Sequence, residues 1–148
     1  MRLPSNVKLK GFIWNVFPFL RYTAQAIYPN TYFTKEVYEN LKSDKPNPRY
    51  IVTLRHEQTH IERQKKMGWI KWGLRYVFLP KFRFNEELEA IKTSMKYLKG
   101  EKGNFYTEKS ARFLSGWLYL WCVSYKKTKY ELDKAWKEAK SPKQERLK

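Results

Sequence analysis

Hydrophobic positions along the chain change their spacing from one third to the next. Residues 1–10 are polar and basic, with Arg2, Lys8 and Lys10. An apolar, aromatic stretch follows from Gly11 to Leu20, ahead of Ala24-Gln25-Ala26. It superficially resembles a secretory signal with its small-residue cleavage site. Asn15 and Pro18 interrupt the run, however, and Arg21 and Tyr22 crowd the cleavage region, so aromatic-rich edge structure packed on the core is the better reading. Ala24 to Thr34 is rich in β-branched and aromatic residues around the turn signal Pro29-Asn30, which predicts one short hairpin or two brief strands. Lys35 to Lys42 reads as a short helix. Ser43 to Pro48 is a loop, because two prolines and Asx-type residues stop any element.

Beyond this point the spacing becomes helical. Ile51 to Met67 predicts a helix stopped by Gly68, with Thr53, His56, His60, Gln64 and Met67 on one inward stripe, Leu54 and Ile61 as its apolar shoulders, and Glu62, Arg63, Lys65 and Lys66 on a solvated side. Trp69 to Leu79, ended by Pro80, is apolar on nearly all sides and too short to span a membrane. It reads as a core helix, although Trp69 and Trp72 would also suit a lipid headgroup layer. Arg83 to Leu98 predicts a helix stopped by Gly100 and acidic in its first turns. Thr107 is placed to cap a further helix, whose apolar run Phe113 to Val123 would be the central core. Tyr130 to Ala139 would extend that helix, and the end from Ser141 would fray. The expected fold is α+β and mostly α, with about four helices and a small antiparallel β element from the N-terminal third. It forms one domain over 1–148 with a basic tail from about 126.

Composition supports a folded chain: 42% of the 148 residues are hydrophobic and 18% aromatic, enough for a core and against global disorder. The formal charge is +17, from 31 Lys and Arg against 14 Asp and Glu. It favours anionic partners without choosing among nucleic acid, anionic lipid, an acidic protein or a teichoic-type polymer. Cys122 is the single cysteine. This excludes a disulfide framework and a thiolate metal cluster and suits a small core residue.

The candidate chemistry lies in the Ile51–Met67 helix, which carries His56-Glu57-Gln58-Thr59-His60. Residues four apart share one helix face, so both imidazoles aim at one point, as two ligands of a single zinc ion require. Glu57 lies about 100° round the helix from His56, where a carboxylate can take the proton of a water held at the metal. These are the only 2 histidines. A catalytic zinc has three protein ligands and a water. With no third His, a lone Cys in an apolar run, and Arg63 and Lys66 where a metzincin extension would have Gly and His, the third ligand is expected to be a carboxylate. Asp44 lies in a Pro-rich loop and Asp133 in the basic tail, so the cluster Glu86-Glu87-Leu88-Glu89 is the better supplier.

His-Glu-x-x-His followed by Glu87-Leu88-Glu89-Ala90 resembles the paired motifs of gluzincin-type zinc metallopeptidases, in particular small phage and bacterial members. The resemblance runs from about residue 20 to about residue 125 in order of elements, but only some ten residues carry it. It implies a zincin-like fold with zinc on His56, His60 and Glu87, the Glu of Glu-x-x-Ala being the ligand. Glu86 is the alternative, since Asn85-Glu86 matches the start of an Asn-Glu-Ala variant. Glu89 would fall in the second shell or on the surface. Ile91 stands where related families often carry Asp, so activity is less firmly implied than metal binding.

These readings lead to a zinc-dependent hydrolase, a metallopeptidase acting on peptide or protein, with Glu57 as general base and then proton donor. The basic surface would bind polyanions, no segment would cross a membrane, and the setting would be cytoplasmic (the host's, if phage-encoded) with secretion left open. Arg75 and Tyr76, between the two motifs, receive no catalytic role. The competing reading is a non-enzymatic basic helical protein that binds nucleic acid or an anionic membrane. A third is hydrolysis of peptidoglycan by the same zinc centre.

Overall fold

Three short strands and six helices make an α+β, mostly α architecture among the residues that the structure, a computed structural model, describes: 3–12, 23–116 and 123–140. Backbone contacts divide the chain into two compact units, Met1–Arg75 and Tyr76–Lys148. Among the described residues, no helix is long and apolar enough to cross a membrane.

The first unit begins with strands β1 (Val7–Leu9), β2 (Gln25–Ile27) and β3 (Asn30–Phe33), arranged β1-β3-β2. The hairpin appears in the expected stretch. Tyr28 and Pro29 form its turn, and β2 runs antiparallel to β3 with Ile27 opposite Asn30 and Gln25 opposite Tyr32. The sheet is nevertheless mixed, not the antiparallel element expected, because β1 adds to β3 in parallel with Val7 opposite Thr31. Backbone bonds extend the pairing at both ends of β1: Thr31 N–H donates to Asn6 O at 2.9 Å, and Lys10 N–H to Phe33 O at 2.9 Å. Three residues among lysines carry too little alternation to stand out as a strand. Packing supplies the rest, since Val7 is buried with Phe33, Leu41 and Leu54.

Helix α1 (Lys35–Lys42) has the expected limits. Helix α2 (Pro48–Met67) starts three residues before the predicted Ile51, because Pro48 occupies its first turn and Asn47 Oδ1 caps the Arg49 N–H at 3.0 Å. Proline has no N–H to lose there and its fixed φ is already helical. Gly68, at φ 88°, ends α2 in a conformation that disfavours side chains. Helix α3 (Trp69–Phe78) is not the core helix expected: Trp72 is its one buried residue, and Trp69, Ile70, Leu74, Val77 and Phe78 are exposed. A helix apolar on all sides can turn only one of them inward, and here that side carries Trp72.

In the second unit, α4 (Pro80–Gly100) again starts early, with proline in its first turn. Phe84, Leu88, Ile91 and Met95 recur at helical spacing along it and pack with Ala111 and Leu114 of α5 (Thr107–Leu114) and Leu132 and Ala135 of α6 (Tyr125–Lys140). The helix expected to run on from Thr107 through the apolar run is interrupted after Leu114, and residues 117–122 lie outside the described residues. α5 ends at Leu114, where Ser115 N–H bonds Ala111 O at 3.0 Å and Gly116 N–H bonds Phe113 O at 3.2 Å, and Phe113 is exposed. Its division from α6, together with the short α1, accounts for six helices among the described residues where about four were expected. The apolar stretch from 13 to 22, Cys122 and the tail from Ser141 lie outside the described residues.

Thr107 does not cap α5. Its hydroxyl instead donates to Asp133 Oδ1 of α6 at 2.6 Å, and Lys129 Nζ donates to Oδ2 at 2.5 Å. The Lys129 ammonium foremost, then the Thr107 hydroxyl, holds the Asp133 carboxyl below the usual carboxylate range. A carboxyl that titrates lower in the fold than in the unfolded chain contributes its full stabilisation above the ordinary Asp range and loses it as pH falls through the folded value. Thermal melts of the wild type and Asp133→Asn should therefore differ most near neutrality and converge toward about pH 3. A gap that stays constant over that range would mean the carboxylate contributes nothing specific.

Candidate metal centre

On α2, the i, i+4 spacing stacks His56 and His60 on one face, and their Nε2 atoms lie 3.2 Å apart. Two nitrogens bound to one ion at about 2.0–2.1 Å with tetrahedral angles are separated by about 3.3 Å. The donor pair therefore has the spacing of two ligands of a single ion; without one, the same spacing suits an N–H···N bond between the rings. The rings meet edge to face, with centroids 4.9 Å apart and planes at 79°. His60 is buried and His56 half-buried. The Trp72 ring lies at 62° to His60, 5.7 Å between centroids, and packs an apolar surface against that imidazole.

Glu57 is buried with His60 on the same helix. Lys10 lies within electrostatic reach of it. Burial pushes the Lys10 ammonium below its usual pKa, and the Glu57 carboxylate partly opposes that shift. Lys10 Nζ also donates to the Thr23 carbonyl. The predicted stripe on α2 is rotated in the structure. Leu54, Glu57, His60, Ile61 and Gln64 are its buried residues, while Thr53 and Met67 are half-buried.

Gln64 and Gln58 hold this rotation. Gln64 Oε1 accepts from Tyr28 N–H at 2.8 Å, and its Nε2 donates to Ala26 O at 2.9 Å. The side-chain amide thus pairs with the outer edge of β2 as a neighbouring strand would, one turn below His60. Gln58 exchanges bonds of 3.2 Å with the Asn6 side chain.

In the second unit, Glu86 and Glu87 are both buried on α4. The Tyr76 hydroxyl donates to Glu87 Oε1. Arg83 lies over the Tyr76 ring, 5.5 Å from its centroid, and its guanidinium donates to the carbonyls of Tyr76 at 2.8 Å and Val77 at 2.5 Å. These carbonyls belong to the last turn of α3, where no intrahelical donor remains for them. Glu89, by contrast, faces outward and pairs with Lys92 at 2.8 Å. Asp133 is engaged by Thr107 and Lys129, as described above.

Sequence reasoning overlooked Lys10, Gln64's bonding role, and Tyr76 as the partner of Glu87. Lys10 and Tyr76 are remote in sequence from the motif residues they meet, so no spacing marks them. The helical period puts Gln64 on the inward stripe, but nothing in the sequence specifies its backbone partners. Comparison of the chain with protein-family models, with curated proteins and with solved structures gives no match in any of the three.

If Gln64 fixes the rotation of α2, Gln64→Ala should lower stability by about 1–3 kcal/mol in chemical denaturation, because it leaves the Tyr28 N–H and the Ala26 carbonyl unsatisfied. Gln64→Glu should not rescue it, since a carboxylate cannot donate to the Ala26 carbonyl. Wild-type stability in either variant would contradict this role.

Proposed function

We propose that the protein is a zinc-dependent hydrolase, a metallopeptidase of the gluzincin type, with His56, His60 and Glu87 as protein ligands and Glu57 as general base. The single observation that carries the reading is the His56–His60 pair, the chain's only 2 histidines, with nitrogens 3.2 Å apart and Glu57 buried beside them on the same helix. Two imidazoles and a carboxylate are the donor set of known catalytic zinc sites. Glu87 is favoured over Glu86 by its match to Glu-x-x-Ala and by the Tyr76 hydroxyl bond, the kind of outer partner that orients a ligand carboxylate.

Zinc, when bound, would acidify a water and polarise the scissile carbonyl. The chain's own part is proton traffic and orientation. Glu57 accepts a proton from the attacking water on its carboxylate and delivers it to the leaving amine nitrogen as the C–N bond breaks. The Trp72 ring limits the positions open to the His60 imidazole, and Tyr76 holds one oxygen of Glu87. The Ala26–Tyr28 edge is already paired with Gln64, so a substrate strand would not add to the sheet there.

The reading makes the acidic residues behave differently. Glu57→Gln should retain zinc and lose about 10²–10⁴-fold in hydrolysis of a peptide library, because an amide cannot take the proton. Glu87→Ala should lose zinc affinity outright, Tyr76→Phe should lose about 10- to 100-fold, and Glu86→Ala and Glu89→Ala should lose far less. Competition with a chelator measures all five variants. Loss of zinc in Glu86→Ala with retention in Glu87→Ala would shift the ligand by one residue, and unchanged affinity throughout would refute the third ligand.

A further inference from the structure

The exposed side of α3 is built in a way that neither unit's core nor the proposed metal centre accounts for. Trp69, Ile70, Leu74, Val77 and Phe78 are exposed by 53%, 59%, 57%, 59% and 71%. At about 100° per residue all five fall within about half the helix circumference, and Trp72, the buried residue, falls in the other half. The helix therefore turns its larger apolar face outward. Such a contiguous patch marks an interaction site on a soluble protein.

Charge identifies the occupant. From Lys65 to Lys81 the chain carries Lys65, Lys66, Lys71, Arg75 and Lys81 and not one Asp or Glu. All five are exposed. Lys71 and Arg75 follow the apolar face along one flank of the helix. A second copy of the chain would bring the same basic rim, and a formal charge of +17, against its like. A bilayer with anionic headgroups instead offers hydrocarbon to the apolar face and negative charge to its rim, the arrangement of helices that lie in the membrane interface. With Trp69 and Phe78 at its two ends, α3 also has aromatic anchors at headgroup depth. We propose that α3 docks, lying flat, on an anionic lipid bilayer surface. This inference is independent of the metal centre.

The test uses the purified full-length protein and vesicles of phosphatidylcholine with or without phosphatidylglycerol. The wild type should float with the anionic vesicles and stay behind with the neutral ones, and brominated acyl chains should quench its tryptophan emission. Leu74→Asn/Val77→Asn should weaken binding at least about tenfold, because two buried aliphatic side chains are lost from the bilayer. Lys71→Glu/Arg75→Glu should weaken it as well, with the apolar face intact. Three results would overturn the proposal: no flotation with anionic vesicles; flotation without quenching and equal in wild type and Leu74→Asn/Val77→Asn, which would mean charge alone; or a wild-type dimer that the apolar variant converts to monomer. Should that variant misfold by circular dichroism, quenching of the wild type by brominated lipid still decides between insertion and surface adsorption.

Discussion

Two hydrogen bonds of the Gln64 amide, one donated to Ala26 O and one accepted from Tyr28 N–H, fix α2 against the hairpin, and the rest of the first unit follows from that rotation. With the amide seated on the strand edge, Leu54 packs beside Val7, Phe33 and Leu41, and Glu57 and His60 come to lie on the buried side of the helix. A helix held only by apolar contacts can roll by tens of degrees at small cost, whereas two directional bonds to backbone cannot be kept through such a roll. The i, i+4 geometry then brings the two imidazoles together without further help. Asn6, bonded to Gln58, secures the same helix from β1, which explains why a strand among lysines belongs to the architecture at all.

The second unit is organised on a simpler principle. One apolar stripe of α4 is buried under α5 and α6, and specific polar ties add to it: Thr107 and Lys129 on Asp133, Arg83 on the end of α3, Tyr76 on Glu87. Burying Arg83 is tolerable because its donors reach carbonyls that the helix end leaves without partners. The Tyr76–Glu87 bond gives a buried carboxylate a donor and restricts its orientation. The proposal that Glu87 ligates a metal requires both.

Local signals made much of this legible from sequence. The limits of α1, a hairpin near the Pro29-Asn30 turn signal (one residue past the observed turn at Tyr28-Pro29), Gly68 as a stop and the His56–His60 face all follow from turn chemistry and helix period, which act over a few residues. What sequence reading got wrong depends on longer range or on position within an element. Pro48 and Pro80 read as breakers, yet each opens a helix, because proline is costly in a helix interior and nearly free in the first turn. Hydrophobicity suggested that Trp69–Leu79 would be buried, but composition does not say which face finds a partner. α3 instead exposes most of its apolar residues, and α5 ends at Leu114 with Phe113 exposed. β1 was missed because its stability comes from pairing with β3 and from Val7 alone entering the core. Tyr76 and Lys10 were invisible in their roles because both act through contacts that no spacing rule encodes.

The proposed function stands or falls with one metal ion on the His56–His60 pair. Elemental analysis of protein dialysed with zinc and then against buffer decides it most directly, with the wild type beside a His56→Ala/His60→Ala variant whose fold is checked by circular dichroism. One zinc per wild-type chain and none in the folded variant is the expected result. Full zinc in the variant, or none in the wild type, would contradict it.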